Sequence, residues 1–473
     1  MQVTPMIIGA ERPTGTEHTE VRSPYDGRVL GTVPTGTTDD LDAAVAAARS
    51  VLASGPLPAH RRATILDRAA AAIEARHEEL AQILSSESAK PIRTARVEVE
   101  RAVETTRFSA SVVRDLGGEL IPMDASSAGE GKIGFVKRVP VGVVAGISPF
   151  NFPLNLVCHK VMPAIAAGAP IVLKPASATP LTALALGRIL LDEAGLPPGW
   201  LNIVTCRGSV ADHLVHHPDV AMITFTGSAE VGWGIRAAAP RKRVSLELGN
   251  NSPVVIEPDG DWKVAASKIK TAAFGFAGQS CISTQRVYVH ESIADEFVDE
   301  LVREVSSIVV GDPSDEATDV SSLIDDGETD RVRSWIDDAV AAGARVLCGG
   351  TVGDDGVLAP TVLVDVTPDM KVCAQEVFGP VVAVASYGDY AEALELADHS
   401  DYGLQAAVFT SDIAKALRAA DSLHYGGILI NEVPTWSADH MPYGGSRDSG
   451  NTREGPKYAV REMTEERLVV IAR

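Results

Sequence analysis

Between residues 133 and 248 the chain switches hydrophobic period every few residues, and this limits the available folds more than any other feature. "IGFVKRVPVGVVAGI" is β-branched and extended, whereas "PLNLVCHKVMPAIAAG" has a helical rhythm. There follow strand "PIVLKP", helix "PLTALALGRILLDEAG", strand "LNIVT", helix "SVADHLVHH", strand "AMITFTG", helix "SAEVGWGIRAAA" and strand "RVSLEL". Strands alternating with helices of this length build βαβ units around a parallel sheet. Open parallel sheets bind ligands at the carboxyl ends of their strands. Here those ends carry Ser148 to Asn151, Lys174 to Ser177, Gly227 with Ser228, and Glu247 to Asn251.

Ala-rich amphipathic helices are predicted over residues 39–118, and a second α/β region over about 252–445 includes "SWIDDAVAAGARVLCGG". A chain of 473 residues exceeds one ordinary core, so two or three domains are expected. No repeat and no low-complexity linker separates them, which predicts close packing. The segment "FGFAGQSCISTQR", residues 274–286, falls near their boundary.

Charge narrows the partners. Forty-two Lys and Arg against 63 Asp and Glu give a formal net charge of −21. That balance disfavours nucleic acid and anionic membranes as partners, though a few local cations could still hold a small anionic substrate. No apolar run is long enough for a transmembrane helix, and "MQVTPMIIGAERPTG" has no signal-peptide pattern. The five cysteines, at 158, 206, 281, 348 and 373, have no metal-type spacing. They predict reduced thiols and a cytoplasmic location. His213, His216 and His217 share a predicted helical face, but no further ligand accompanies them, so no metal is expected.

Taken singly, the polar residues at the strand ends are ambiguous. Lys174 follows "PIVL" and could bond ribose or phosphate, yet taken alone it reads first as an ordinary solvated lysine. Gly227 ends a strand and Ser228 opens a helix, a geometry that offers backbone N–H groups to an anion. "GWGIRA" at 232–237 matches a loosened dinucleotide fingerprint, but it lies inside a predicted helix and reads as chance. Glu247 and Asn151 could each cap a turn, and Cys281 could simply be packed.

Together, "SPFNFPLN", "IVLKPA", "FTGSAEVG", "LELGNNSP", "GQSCISTQR", "QEVFGPV" and "PYGGSRDSGNTREGP" resemble the aldehyde dehydrogenase superfamily, in the family's order and across nearly the whole chain. The resemblance implies an α/β fold with three parts. A Rossmann-like cofactor domain would span 1–124 and 142–249, and an α/β catalytic domain 250–445. A small β oligomerisation element would comprise 125–141 and 460–473, from a hairpin and the strand "EERLVVIAR". It also implies NAD- or NADP-dependent oxidation of an aldehyde to a carboxylic acid in a homodimer or homotetramer. Cys281 would be the nucleophile, and a thiol needs activation because it titrates near 8.5. Asn151 and the Cys281 backbone N–H would hold the oxyanion, and Glu247 would activate water on the thioester.

Cofactor contacts carry over likewise. The set is Ser148, Lys174, Ser177, Arg207, Gly227, Ser228, Gly232, Leu248, Glu376 and Phe378. NAD-preferring members have a glutamate where Ser177 stands, and a carboxylate there would repel a 2′-phosphate. Serine therefore removes an obstacle to NADP, and Arg207 could add a phosphate partner. Asn250 replaces a glycine of the family's LGG turn, and asparagine tolerates left-handed backbone angles. For the substrate, Arg107 and His159 resemble the cationic pair of members acting on small anionic aldehydes such as phosphonoacetaldehyde. Ser280, where phosphonate members favour arginine, keeps carboxylate or hydroxylated aldehydes open, lactaldehyde and succinate semialdehyde among them. A non-catalytic relative of the fold and a thiol esterase are the alternative readings.

Overall fold

The computed structural model describes residues 3–472. Met1 and Gln2, which begin the chain, and Arg473, the last residue of the expected 460–473 element, lie outside the described residues. Strands β1 (His18–Arg22) and β2 (Val29–Pro34) form an antiparallel pair. Helices α1 (Thr38–Ala53), α2 (Ala59–Ala75), α3 (His77–Ser88) and α4 (Ile92–Asp115) follow, as the Ala-rich periodicity predicts. A hairpin of β3 (Glu119–Ile121) and β4 (Lys132–Pro140) comes next.

The alternating segment then builds β5 (Val143–Ile147), α5 (Asn155–Ala167), β6 (Ile171–Lys174), α6 (Pro180–Arg188), β7 (Leu201–Ile203), α7 (Gly208–His216), β8 (Val220–Thr226), α8 (Ala229–Ala238) and β9 (Arg243–Glu247). These strands form one parallel sheet in the order β7-β6-β5-β8-β9. Both faces are apolar. Ile171 and Leu173 join the core with α5 and α6, while Val172 between them packs with α1 and α7. The chain runs outward from β5 to β7 and restarts on the other side at β8. This reversal opens a crevice between the carboxyl ends of β5 and β8.

The second sheet contains β10 (Ser252–Ile256), β11 (Thr284–His290), β12 (Arg345–Cys348), β13 (Thr361–Val364), β14 (Val381–Tyr387), β15 (Gln405–Phe409) and β16 (Gly427–Ile430). Their order is β12-β13-β14-β11-β10-β15-β16, parallel except at β12. Helix α9 (Trp262–Phe274) leads directly into the cysteine segment before β11. Finally β17 (Thr464–Ala472) returns to pair antiparallel with β4. The hairpin expected at 125–141 thus starts earlier, at Glu119, and Met123–Gly129 forms 3-10 turns rather than strand. Pro122 and the close packing of Gly129 against Met123 explain the turns. The β3-β4-β17 sheet exposes Leu120, Leu468, Val470 and Ile471. Among the described residues no helix is long and apolar enough to cross a membrane.

Gly232 lies inside α8, and a Cβ there would collide with the Leu248 side chain after β9. The missing side chain lets α8 approach the end of β9. Gly232→Val is expected to lower stability by about 1–3 kcal/mol through overpacking, measured by urea unfolding.

Candidate active site

The crevice at the strand ends is a cavity of about 600 Å³. Of the residues expected to hold a cofactor, Ser148, Lys174, Ser177, Gly227, Ser228, Leu248, Glu376 and Phe378 line it, together with Asn151 and Cys281. Arg207 and Gly232 do not. Arg207 is exposed at the start of α7, where Gly208 is the cavity-facing neighbour.

Local interactions position these groups. Lys174 ends β6 nearly buried, and burial pushes its ammonium pKa down. Its side chain makes no hydrogen bond among the described residues, so its donors remain available. The Ser148 hydroxyl is likewise buried and unpartnered among them. Ser177 donates to the Cys206 carbonyl at 3.3 Å. Glu376 accepts the Asn250 N–H at 3.0 Å, and burial pushes its carboxyl up to about 7. A Cβ on Gly249 would overlap that carboxylate, so this glycine makes the cradle. Asn250, by contrast, is not among the residues with positive φ. It is tolerated because its buried amide donates to Ser252 Oγ at 2.7 Å and to the Gln405 carbonyl at 3.2 Å, without any left-handed angle.

A second, narrower cavity joins the first at Cys281. Arg101, Phe152, Asn155, His159, Glu247, Ser280, Ser437, Asp439, Tyr443 and Glu454 are among its lining residues. The segment before the cysteine is wound tightly, with Phe276 and Ala277 at φ of 52° and 54° and Gly278 at 72°. Cys281 Sγ lies 2.9 Å from the Tyr443 hydroxyl. Burial pushes the thiol up to about 12, opposed by the Tyr443 hydrogen bond. Asn151 Nδ2 donates to the Gln279 carbonyl at 3.1 Å, beside the cysteine. The Cys281 N–H makes no hydrogen bond among the described residues, so it is free to donate into the cavity.

Glu247 ends β9 with both carboxylate oxygens buried and unpartnered among the described residues. Burial and then the nearby Glu454 push its pKa well above the usual carboxylate range, opposed by Lys160 and Arg453. A Cβ at Gly444 would lie 2.5 Å from Glu247 Oε1, so only glycine leaves the carboxylate room there. Lys160 is fully buried and donates to Thr226 Oγ1 at 2.6 Å, while pairing with Glu454 at 3.3 Å.

Arg107 is not at this site. It is half exposed and pairs with Glu74 at 2.8 Å and Glu104 at 3.0 Å. The helix explains why, because six residues rotate the side chain by about 240° from Arg101, on another face of α4. Arg101 is the cation that enters the narrow cavity, bonding Asp439 at 3.0 Å and Ser437 Oγ at 3.0 Å. His159 does enter it, with Nε2 3.3 Å from Thr105 Oγ1 and 3.5 Å from Asp439. Burial pushes the Asp439 carboxyl up, but the His159 hydrogen bond and the Arg101 charge hold it far below the usual range.

Several residues with no motif of their own shape the site. Buried Lys90 pairs with Glu98, donates to the Asn151 carbonyl at 2.7 Å and sits 3.8 Å from the Phe152 ring centroid. Glu98 also accepts the N–H groups of Leu154 at 2.9 Å and Asn155 at 3.1 Å, capping α5. The "AKP" and "EVE" triplets that hold them carried no chemical signal in sequence. Away from the site, Asp42 joins His213 at 2.6 Å and His217 at 3.3 Å, a third group that spacing along the helix could not reveal. The His217 Nδ1 accepts the Asp219 N–H at 3.1 Å, which leaves the proton on Nε2, the atom facing Asp42. That arrangement suits a hydrogen bond to the Asp42 carboxylate better than metal ligation.

The sequence profile of the aldehyde dehydrogenase family matches residues 11–469. The chain is 45% identical to a 3-sulfolactaldehyde dehydrogenase of Priestia aryabhattai, over 98% of this chain and 97% of that one. It is 38% identical to a lactaldehyde dehydrogenase of Methanococcus aeolicus, covering 96% and 97%. The NADP complex of an NADP-dependent glyceraldehyde-3-phosphate dehydrogenase from Bacillus halodurans superposes with TM-score 0.97 at 36% identity, covering 100% of both chains.

Lys90→Ala should cost about 3–5 kcal/mol, because it leaves Glu98 buried without its cation, as urea unfolding would measure.

Proposed function

The chain belongs to the aldehyde dehydrogenase family, and from that premise we propose that it oxidises a small anionic or hydroxylated aldehyde to its carboxylic acid. The observation that carries this reading is the meeting of two cavities at Cys281. The wide one is suited to a dinucleotide, and the narrow one holds Glu247 and, away from it, Arg101 and His159 with Asp439 between them.

The residues of the wide cavity fit a nicotinamide cofactor, NAD or NADP. Lys174 keeps free donors for a ribose or phosphate, and Gly227 and Ser228 open α8 towards a pyrophosphate. Glu376, in the Gly249 cradle, and Phe378 would meet the nicotinamide ribose and ring. No carboxylate stands at Ser177 to repel a 2′-phosphate, so NADP is accepted as well as NAD. The cofactor, when bound, supplies the hydride acceptor.

This chain's residues would do the rest. The Cys281 thiol gives its proton to a cavity water, the sulfur lone pair forms the bond to the aldehyde carbon, and the carbonyl π pair moves to oxygen. The Cys281 N–H and the Asn151 amide would hold that oxyanion, the latter exchanging its bond to the Gln279 carbonyl. Glu247, as carboxylate, would take a proton from water attacking the thioester and release the acid. A polar substrate tail would reach Arg101 and His159, which share Asp439 between them. The exposed apolar face of the β3-β4-β17 sheet would bury itself in a homo-oligomer, dimer or tetramer.

Reduced-cofactor absorbance with sulfolactaldehyde, succinate semialdehyde, lactaldehyde and propanal tests this reading. Arg101→Leu is expected to raise KM for the two anionic aldehydes about tenfold or more while sparing propanal. Equal effects on all four would remove the anion site. Glu247→Gln should keep a single-turnover burst but cut steady-state turnover by about 10²-fold or more. Because the Glu247 pKa is raised, wild-type steady-state turnover should climb as pH rises through that pKa, and the glutamine variant should lose that climb. A burst lost together with turnover would contradict the general-base role.

A further inference from the structure

We propose that Tyr443 is a catalytic residue that serves two partners in turn, the Cys281 sulfur before attack and the 2-hydroxyl of a hydroxyaldehyde after it. The inference rests on Cys281 as the nucleophile of the proposed reaction, and goes further by naming the group that selects 2-hydroxyaldehydes.

The geometry begins at the sulfur, 2.9 Å from the Tyr443 hydroxyl in the narrow cavity. The ring is held from behind. Its backbone N–H donates to the Glu454 carbonyl at 3.2 Å, and Glu454 is in turn paired with buried Lys160. Glycines 444 and 445 follow it in tight contact with Thr452 and Ser449, so the loop has little room to withdraw the phenol. Burial, and the negative groups of the cavity, keep the phenol protonated, so once the Cys281 thiol has given up its proton the phenol donates to the thiolate rather than competing with it.

Attack changes what the phenol can bond. The sulfur lone pair becomes the new S–C bond, the carbonyl π pair becomes the oxyanion, and the phenol keeps its proton throughout. A sulfur bonded to two carbons is a weak acceptor. The phenol therefore loses its charged partner at the moment the substrate's C2 is fixed beside it. A hydroxyl on C2 restores a hydrogen bond, whereas an unsubstituted C2 leaves a buried donor unpaired.

Two other polar groups of the cavity are committed, while the Glu247 oxygens and His159 Nδ1 stay unpartnered among the described residues. Asn155 accepts from Thr105 at 2.9 Å and donates to Asp439 at 3.1 Å, and Ser437 accepts from Arg101. The Ser280 hydroxyl is the competing candidate, with no hydrogen bond among the described residues.

The test uses Tyr443→Phe and Ser280→Ala in the full-length enzyme. Iodoacetamide labelling of Cys281 is followed against pH, with Cys281→Ser as background. Steady-state kinetics compare lactaldehyde with propanal, which differ by the 2-hydroxyl. In Tyr443→Phe the labelling midpoint should move up by about one pH unit or more, the size of one hydrogen bond to a charged sulfur. Its kcat/KM for lactaldehyde should fall about tenfold further than for propanal. Propanal turnover by the same variant reports that the fold and the cofactor site survive. Ser280→Ala should keep the wild-type ratio of the two substrates. An unmoved labelling midpoint, equal losses on both aldehydes, or a ratio abolished by Ser280→Ala would each overturn the proposal while leaving the dehydrogenase reading intact. Wild-type enzyme that oxidises no aldehyde would refute that reading, and the labelling profile would still decide whether Tyr443 holds the thiolate.

Discussion

A charge buried without water must be answered on every side, and Lys90 imposes that constraint on the whole site. Its ammonium, pushed towards neutrality by burial and held charged by Glu98, is fully enclosed. Satisfying it ties together α4, the loop after β5 and the start of α5. Glu98 caps α5 through two N–H groups, and Lys90 takes the Asn151 carbonyl. The amide that faces the cysteine is therefore positioned from behind its own backbone. Such a pair contributes geometry more than net stability, since its desolvation cost offsets much of its Coulomb attraction.

The second constraint is space. Two carboxylates of the site stand where glycine leaves room for them, Glu376 against Gly249 and Glu247 beside Gly444. Glu247 keeps both oxygens free of protein partners, which raises its pKa and leaves it open to water. Glu376 takes one backbone N–H, and burial lifts its pKa to about 7. The reversal of strand order at β5 sets the wide cavity at the strand ends, and the cysteine segment closes it from the other sheet.

Much of this was legible in the residues. The βαβ alternation predicts the five-stranded parallel sheet, because a strand buried on both faces must be apolar at every position and each crossover needs a helix. Cys281, Glu247, Asn151, Lys174, Glu376 and Phe378 are named by the motifs that contain them, and the structure gathers all six around the two cavities. Arg107 illustrates the failure, since the pattern identified the right helix and the wrong face. Arg101, about one and two-thirds turns earlier, has the same charge and no motif to distinguish it.

The sequence by itself determined the family and the fold class, and named most of the residues that gather at the two cavities, because those depend on periodicity and on residue types at fixed local spacing. Tertiary structure alone decided which cation enters the narrow cavity, that Gly232 packs against Leu248, and that Asn250 needs no left-handed angle. It also brought Tyr443 to the sulfur across 162 residues of sequence, and Asn151 beside Gln279 across 128. Contacts of that range follow from how two sheets and their loops pack against each other, and no local pattern in the chain encodes them.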